Sequence, residues 1–164
     1  MKGIVEILFL CLSFIYGCNS NDSIKEKFNT LKNIDYSEFK NMSIVNRNGI
    51  YFVTYNGSTH KIKRSLFTKK VNSVERAFSP ETDVLLTKEE IDFVELKLKS
   101  FDKIKVLSLS VDKIGNVFIS IPWYDRCTYY FLKLAPTNDL QKINKGHYQL
   151  LENDWYLYKE CAEK

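Results

Sequence analysis

Asn56-Gly57 stands between two runs of strand-forming residues, and no other local feature restricts the fold of this chain as much. Ile50-Tyr51-Phe52-Val53-Thr54-Tyr55 is rich in β-branched and aromatic side chains. Asn and Gly both accept the positive φ that a two-residue type I′ turn demands, so the pair predicts a tight antiparallel hairpin. The return strand is expected over about Thr59 to Leu66, with Lys61 and Lys63 on the wet face and Ile62 turned inward. A chain committed to one such hairpin must find further strands to cover its apolar side, because an isolated hairpin is marginal in water.

The C-terminal half supplies them. Lys105 to Val111 alternates, Asp112–Asn116 turns, and Val117 to Ile121 answers as a partner that Pro122 is expected to end. Cys127 to Leu134 reads as another strand. His147–Leu151 and Trp155–Tyr158 flank Glu152-Asn153-Asp154 as a last hairpin.

One segment argues for a helix. Thr87 followed by Glu90 is a capping box, and Ile91, Val94, Leu98 and Phe101 then repeat at helical spacing, with Glu95 and Lys99 as a supporting pair. Val94 to Lys99 also alternates like a strand, and the cap arbitrates in favour of a helix over Lys88–Ser100. Shorter helices are expected at Asp35–Lys40 and from Pro136 to Lys145, stopped by Gly146. The sum is an α+β fold: a mainly antiparallel sheet of about six strands with one main helix, in a single small domain. Alternating βαβ order, repeats and low-complexity tracts are absent from the sequence.

Composition permits this. Of 164 residues, 45% are hydrophobic and 14% aromatic, enough for a sizeable core. Twenty-four basic against 20 acidic residues give +4, a mild excess that fits no nucleic-acid face.

The N-terminus carries an address. Lys2 precedes the apolar stretch Ile7-Leu8-Phe9-Leu10-Cys11-Leu12-Ser13-Phe14-Ile15, which polar Asn19-Ser20-Asn21-Asp22 ends before it reaches the ~20 residues of a membrane span. Ile15-Tyr16-Gly17-Cys18 resembles the lipobox of bacterial lipoproteins: a branched aliphatic, a tolerant position, a small residue and the cysteine. The resemblance covers about the first 20 residues. It implies a signal peptide over 1–17, cleavage before Cys18, lipid on that cysteine, a tether over 18–34 and a globular domain over 35–164. Two or more acyl chains such as palmitate hold stably where one holds marginally, at about 0.8 kcal/mol per buried methylene. Asn19 after the cysteine, where Asp would mark inner-membrane retention, implies an outer-membrane protein facing the periplasm. In that oxidising compartment the two remaining cysteines, Cys127 and Cys161, are expected to form a disulfide, the alternative being two separate thiols.

Chemistry is sparse. His60 and His147 have no partner at ligand spacing, so no metal or cofactor is expected. No phosphate loop or nucleophile elbow occurs, and Ser108, Ser110 and Ser120 sit in strands without an activating neighbour. A Cys127–His147 nucleophile pair would be consumed by the disulfide. Glu89, Glu90, Asp92 and Glu95 read as the wet face of the helix, not as opposed carboxylates across a cleft. The expectation is a non-enzyme.

Two features are candidate recognition surfaces. His60-Lys61-Ile62-Lys63-Arg64, with Lys69 and Lys70 beyond, is the densest basic stretch; it is either a guarded sheet edge or a contact for anionic headgroups or an acidic protein. The second is the aromatic C-terminal part. Alternation puts Tyr130 on the face opposite Tyr129 and Phe131, and Tyr156 and Tyr158 opposite Trp155. Either Trp123, Tyr124, Tyr130, Tyr156 and Tyr158 present a partner-binding surface, or helix and tail cover both faces. The function expected is that of a membrane-anchored, non-enzymatic binding protein, of inhibitor or immunity type, directed at an exported toxin or hydrolase. The alternative is a structural, assembly or glycan-binding lipoprotein of the cell envelope.

Overall fold

The computed structural model of the chain describes residues 20–65, 67–77, 87–124 and 126–162. Cys18 and the stretch expected to be the signal peptide lie outside them. The chain divides into two compact units, Met1–Asn33 and Ile34–Lys164. The described part of the first is a helix, α1, over Ser20–Leu31, with Ile24, Phe28 and Leu31 on one face at intervals of four and three. This stretch lies within the expected tether over 18–34, and its 12 residues make about three turns.

The second unit contains β1 (Met42–Arg47), β2 (Ile50–Tyr55), β3 (Ser58–Arg64), β4 (Val71–Arg76), a helix α2 (Lys88–Ile104), β5 (Ser108–Val111), β6 (Val117–Tyr124), β7 (Cys127–Lys133), β8 (Gln149–Glu152) and β9 (Trp155–Cys161). All nine strands join one sheet in the order β4-β3-β2-β1-β5-β6-β7-β9-β8, and every neighbouring pair is antiparallel. The expected α+β fold of about six strands and one main helix is therefore corrected: the protein is mostly sheet, with nine strands and two helices among the described residues.

The strands that the sequence reading omitted have identifiable causes. β1, Met-Ser-Ile-Val-Asn-Arg, lacks the aromatic density of β2, yet it turns into β2 through Asn48-Gly49, at φ 52° and 80°. That is the same signal as Asn56-Gly57, whose φ values are 49° and 76°. β4, Val-Asn-Ser-Val-Glu-Arg, has weak intrinsic preference and is recruited by pairing with β3.

Other boundaries shift as well. Pro122 does not end β6; the strand continues to Tyr124 through a break in register after Ile121, a position where a missing N–H is tolerated. α2 carries the capping box, Glu90 N to Thr87 Oγ1 at 3.2 Å and Thr87 N to Glu90 Oε2 at 2.9 Å. It runs past Ser100 to Ile104, where Lys105 adopts left-handed φ 56°, and so displaces the start of β5 from Lys105 to Ser108. The stretch from Pro136 to Lys145 forms successive turns in place of a helix, and Asp35–Lys40 reduces to a three-residue 3-10 turn at Ser37–Phe39.

Strand pairing sorts the side chains into two faces. His60, Val53, Ile44, Leu109, Ile119 and Phe131 lie side by side across six strands and are all buried. α2 packs on the β2–β4 part of this face, with Tyr51 against Phe101 at 6.3 Å and Tyr55 against Phe93 at 5.1 Å between ring centroids. The opposite face carries Phe118, Leu132, Tyr130, Tyr156 and Tyr158, and the segment between β7 and β8 covers it with Leu134, Leu140, Ile143 and Tyr148. Both faces of β7 are thus apolar because both are covered, and the cover on the second is this connection, not the chain's tail. Asn116 pins the cover in place: buried in the β5–β6 turn, it accepts from Ala135 N at 2.8 Å and donates to Asp112 Oδ2 at 2.6 Å.

Candidate functional site

The β7–β9 ladder sets the geometry at the C-terminal end of the sheet. Cys127 stands directly opposite Cys161, and their sulfurs are joined as a disulfide across a sequence separation of 34. Closing a loop of that length stabilises the fold by about 3–4 kcal/mol in the chain-entropy picture. In the same register Tyr130 faces Tyr158, and the rings stack at 5.7 Å with 25° between planes. Tyr148 meets Tyr158 at 5.6 Å, and His147 stands edge-on to Tyr158 at 4.5 Å. Tyr156 lies on this same face, opposite Leu132 on one side and Leu150 on the other.

Two of these phenols, Tyr148 and Tyr130, are held protonated. Burial pushes Tyr148 up to about 12. Burial, then the hydrogen bond to Glu160 at 3.0 Å, raises Tyr130. A protonated phenol with a raised pKa is a poor base or nucleophile near neutral pH, so what the cluster offers is ring surface and hydrogen bonding.

Beside the cluster lies β8, the last strand of the sheet. All four of its residues are exposed, Leu150 at 66% and Leu151 at 41%. The β8–β9 register breaks between Leu150 and Glu152, which leaves Leu151 out of the pairing. No described strand pairs with the outer edge of β8. Sequence reasoning reached the tyrosines by parity but passed over Leu150-Leu151. Two adjacent apolar residues in a short strand next to a turn were the available signal. Trp123 and Tyr124 belong to β6, but their side chains fall outside the described residues, as does Cys18.

The basic stretch is not the guarded edge it resembled, because β3 is an interior strand between β2 and β4. Nor do its cations form one patch. Lys61 and Lys63 share a face with Glu75, at 2.8 Å and 3.7 Å, and the hydrogen bond and charge of Lys61 lead in holding the Glu75 carboxyl below its ordinary range. Strand alternation sets Arg64 on the helix side, the face of His60 and Ile62 and opposite Lys61 and Lys63. There it reaches Asp102 at 2.7 Å and donates from Nε to Lys69 O at 2.7 Å.

His60 is buried on the helix-covered face, 8% exposed, and its Nδ1 has no hydrogen-bond partner. Burial, followed by the charge of Arg76, lowers its pKa. Among the described residues no three His, Cys, Asp or Glu side chains are grouped to hold a metal ion, and no helix is long and apolar enough to cross a membrane. No protein-family model matches the chain, and neither a curated protein nor a solved structure matches it.

Proposed function

We propose that this chain is an envelope lipoprotein, lipidated at Cys18, whose sheet domain binds a protein partner and does not transform a substrate. The partner class is an exported toxin or hydrolase that the domain neutralises in the manner of an inhibitor or immunity protein. The anchoring half rests on the resemblance of Ile15-Tyr16-Gly17-Cys18 to a lipobox.

The observation that carries the binding half is the outer edge of β8, with which no described strand pairs and which is bordered by exposed Leu150 and Leu151. Sheet edges in folded proteins are ordinarily blunted by charge, proline or a covering element, since an open edge accepts a further strand. The opposite edge, β4, carries Glu75 and Arg76; β8 has a single charge, Glu152. A partner strand added here would gain main-chain hydrogen bonds, and alternate side chains would choose the partner. Four residues supply few such bonds, so the leucines and the adjoining tyrosine cluster must contribute much of the contact.

Co-purification with an exported toxin or hydrolase encoded beside this gene tests the reading. The full chain should retain such a protein and abolish its activity. The pair Leu150→Lys and Leu151→Lys should weaken retention at least about tenfold, the loss of two central apolar contacts. Retention unchanged by those substitutions, or no inhibition of any neighbouring exported protein, contradicts it.

A further inference from the structure

The turn joining β3 to β4 is ordered by its own hydrogen bonds. Ser65 N donates to Lys70 O at 2.9 Å, Lys69 N to Ser65 O at 3.0 Å and Thr68 N to Ser65 Oγ at 3.2 Å. The donation from Arg64 Nε to Lys69 O ties it down further. On this ordered turn Phe67 stands 96% exposed. A single exposed apolar side chain is ordinary, and the surroundings of this one are what give it meaning.

Between the turn and α2 lies a hollow of about 610 Å³ lined by Lys69, Lys70, Leu96, Lys99 and Lys103, among others. Leu96, Lys99 and Lys103 follow at intervals of three and four, so they form one stripe along α2. Leu96 is 58% exposed. Of the three carboxylates lining the hollow, Asp102 is offset by Arg64, whereas Asp92 and Glu95 keep their charge. Asp102 accepts from Arg64 and Tyr51, and Glu95 accepts from Val71 N at 2.6 Å. None of the four lysine ammoniums forms an ion pair with a described residue. The surface is therefore an exposed ring and an exposed leucine beside four lysines, which outnumber the two carboxylates left in the hollow, Asp92 and Glu95.

We propose that this surface is a second membrane contact, in which Phe67 and Leu96 enter the headgroup layer of an anionic bilayer while Lys69, Lys70, Lys99 and Lys103 meet its phosphates. The charge is complementary: juxtamembrane lysines are drawn to anionic lipid within a Debye length of the surface. The side chains also suit a bilayer better than a protein. Lysine is depleted from protein–protein interface cores, where its ammonium must shed water, whereas at a headgroup layer it keeps that water. Aromatic rings are enriched at the membrane–water boundary. This contact is separate from lipid on Cys18 and would orient the body on the leaflet.

The test places a reporter at the tip. Phe67→Trp in the full chain is mixed with vesicles of brominated lipid, either phosphatidylcholine alone or phosphatidylcholine with phosphatidylglycerol, and the unsubstituted chain supplies the baseline from Trp123 and Trp155. The residue 67 emission should be quenched in the anionic vesicles and much less in the neutral ones. Lys69→Glu with Lys70→Glu should lower that quenching at least about tenfold, as should high salt. Attachment through Cys18 alone leaves a tryptophan at this position unquenched. Far-ultraviolet dichroism confirms that the charge-reversed chain is folded, and Phe67→Ser gives an independent variant that should partition less. Emission from residue 67 that ignores brominated lipid, or equal quenching in both vesicle types, overturns the proposal.

Discussion

Arg64 meets Asp102 across 38 residues of sequence, Nη1 to Oδ2 at 2.7 Å, from a strand position whose predecessor Lys63 faces the other way. Asp102 also accepts from Tyr51 at 2.9 Å, and the guanidinium lies 5.3 Å over the Tyr51 ring, so one side chain locks β2, β3 and α2 together. The Arg64 side chain is only 6% exposed, which makes it the least solvated cation among the described ion pairs. Arg64→Ala should lower the stability of the fold by about 1–3 kcal/mol, read as an earlier urea midpoint at unchanged slope. Arg64→Lys should recover only part of this, since an ammonium cannot reach Asp102 and Lys69 O together in the fork geometry. An unshifted midpoint for Arg64→Ala would show that the bridge is ornamental.

The Cys127–Cys161 bond closes β7 onto β9 beneath the tyrosine stack. Cys161→Ser, or reduction of the native chain, should cost about 3–4 kcal/mol and lower the melting temperature markedly. The same change should raise hydrogen exchange in β9 and β8 before the rest of the sheet, because these strands depend on the staple for their register. Identical melts with and without reductant would remove the disulfide from the account of stability.

His60 makes stability depend on pH, and the sign is fixed. Its pKa is lowered in the folded chain, chiefly by burial, relative to the ordinary value of 6.5. Below that value the unfolded chain binds a proton that the folded chain resists. Stability therefore rises with pH from the lowered folded pKa up to about 6.5 and is flat, as far as His60 is concerned, above it. Unfolding free energy should fall between pH 7 and the mildly acidic range, and His60→Gln should lose this part of the slope. The lowered pKa of Glu75 acts in the same direction at more acid pH: its stabilisation is present above its ordinary 4.5 and is lost as pH falls below that. A His60→Gln chain with the native pH profile would contradict the assignment.

Much of this architecture was legible, and the failures share a physical cause. The Asn56-Gly57 hairpin, the Thr87 capping box, the Cys127–Cys161 pairing and the opposed parity of Trp155 and Tyr156 all follow from local rules that the fold obeys. β4 was missed because its strand character comes from its neighbour β3, and β1 because it lacks the aromatic density of β2 and its only strong local mark is the Asn48-Gly49 turn. Arg64 was grouped with Lys61 and Lys63 because they are neighbours in a basic run, although strand alternation puts it on the opposite face. The cover formed by Leu134, Leu140, Ile143 and Tyr148 has no period to read, since it is built of successive turns. At the proposed sites, parity finds the tyrosines, but the exposure of Leu150 and Phe67 is decided by which elements happen not to cover them.

Lipid on Cys18 is the premise from which compartment, disulfide and partner class all descend, and one labelling experiment addresses it. Cells expressing the full chain or Cys18→Ala are grown with a tagged palmitate, then fractionated. The native chain should carry the label, sediment with membranes and run shorter by the mass of residues 1–17, while Cys18→Ala should carry none and lose this processing. A Cys18→Ala chain that is still labelled and processed like the native one would contradict the lipoprotein reading.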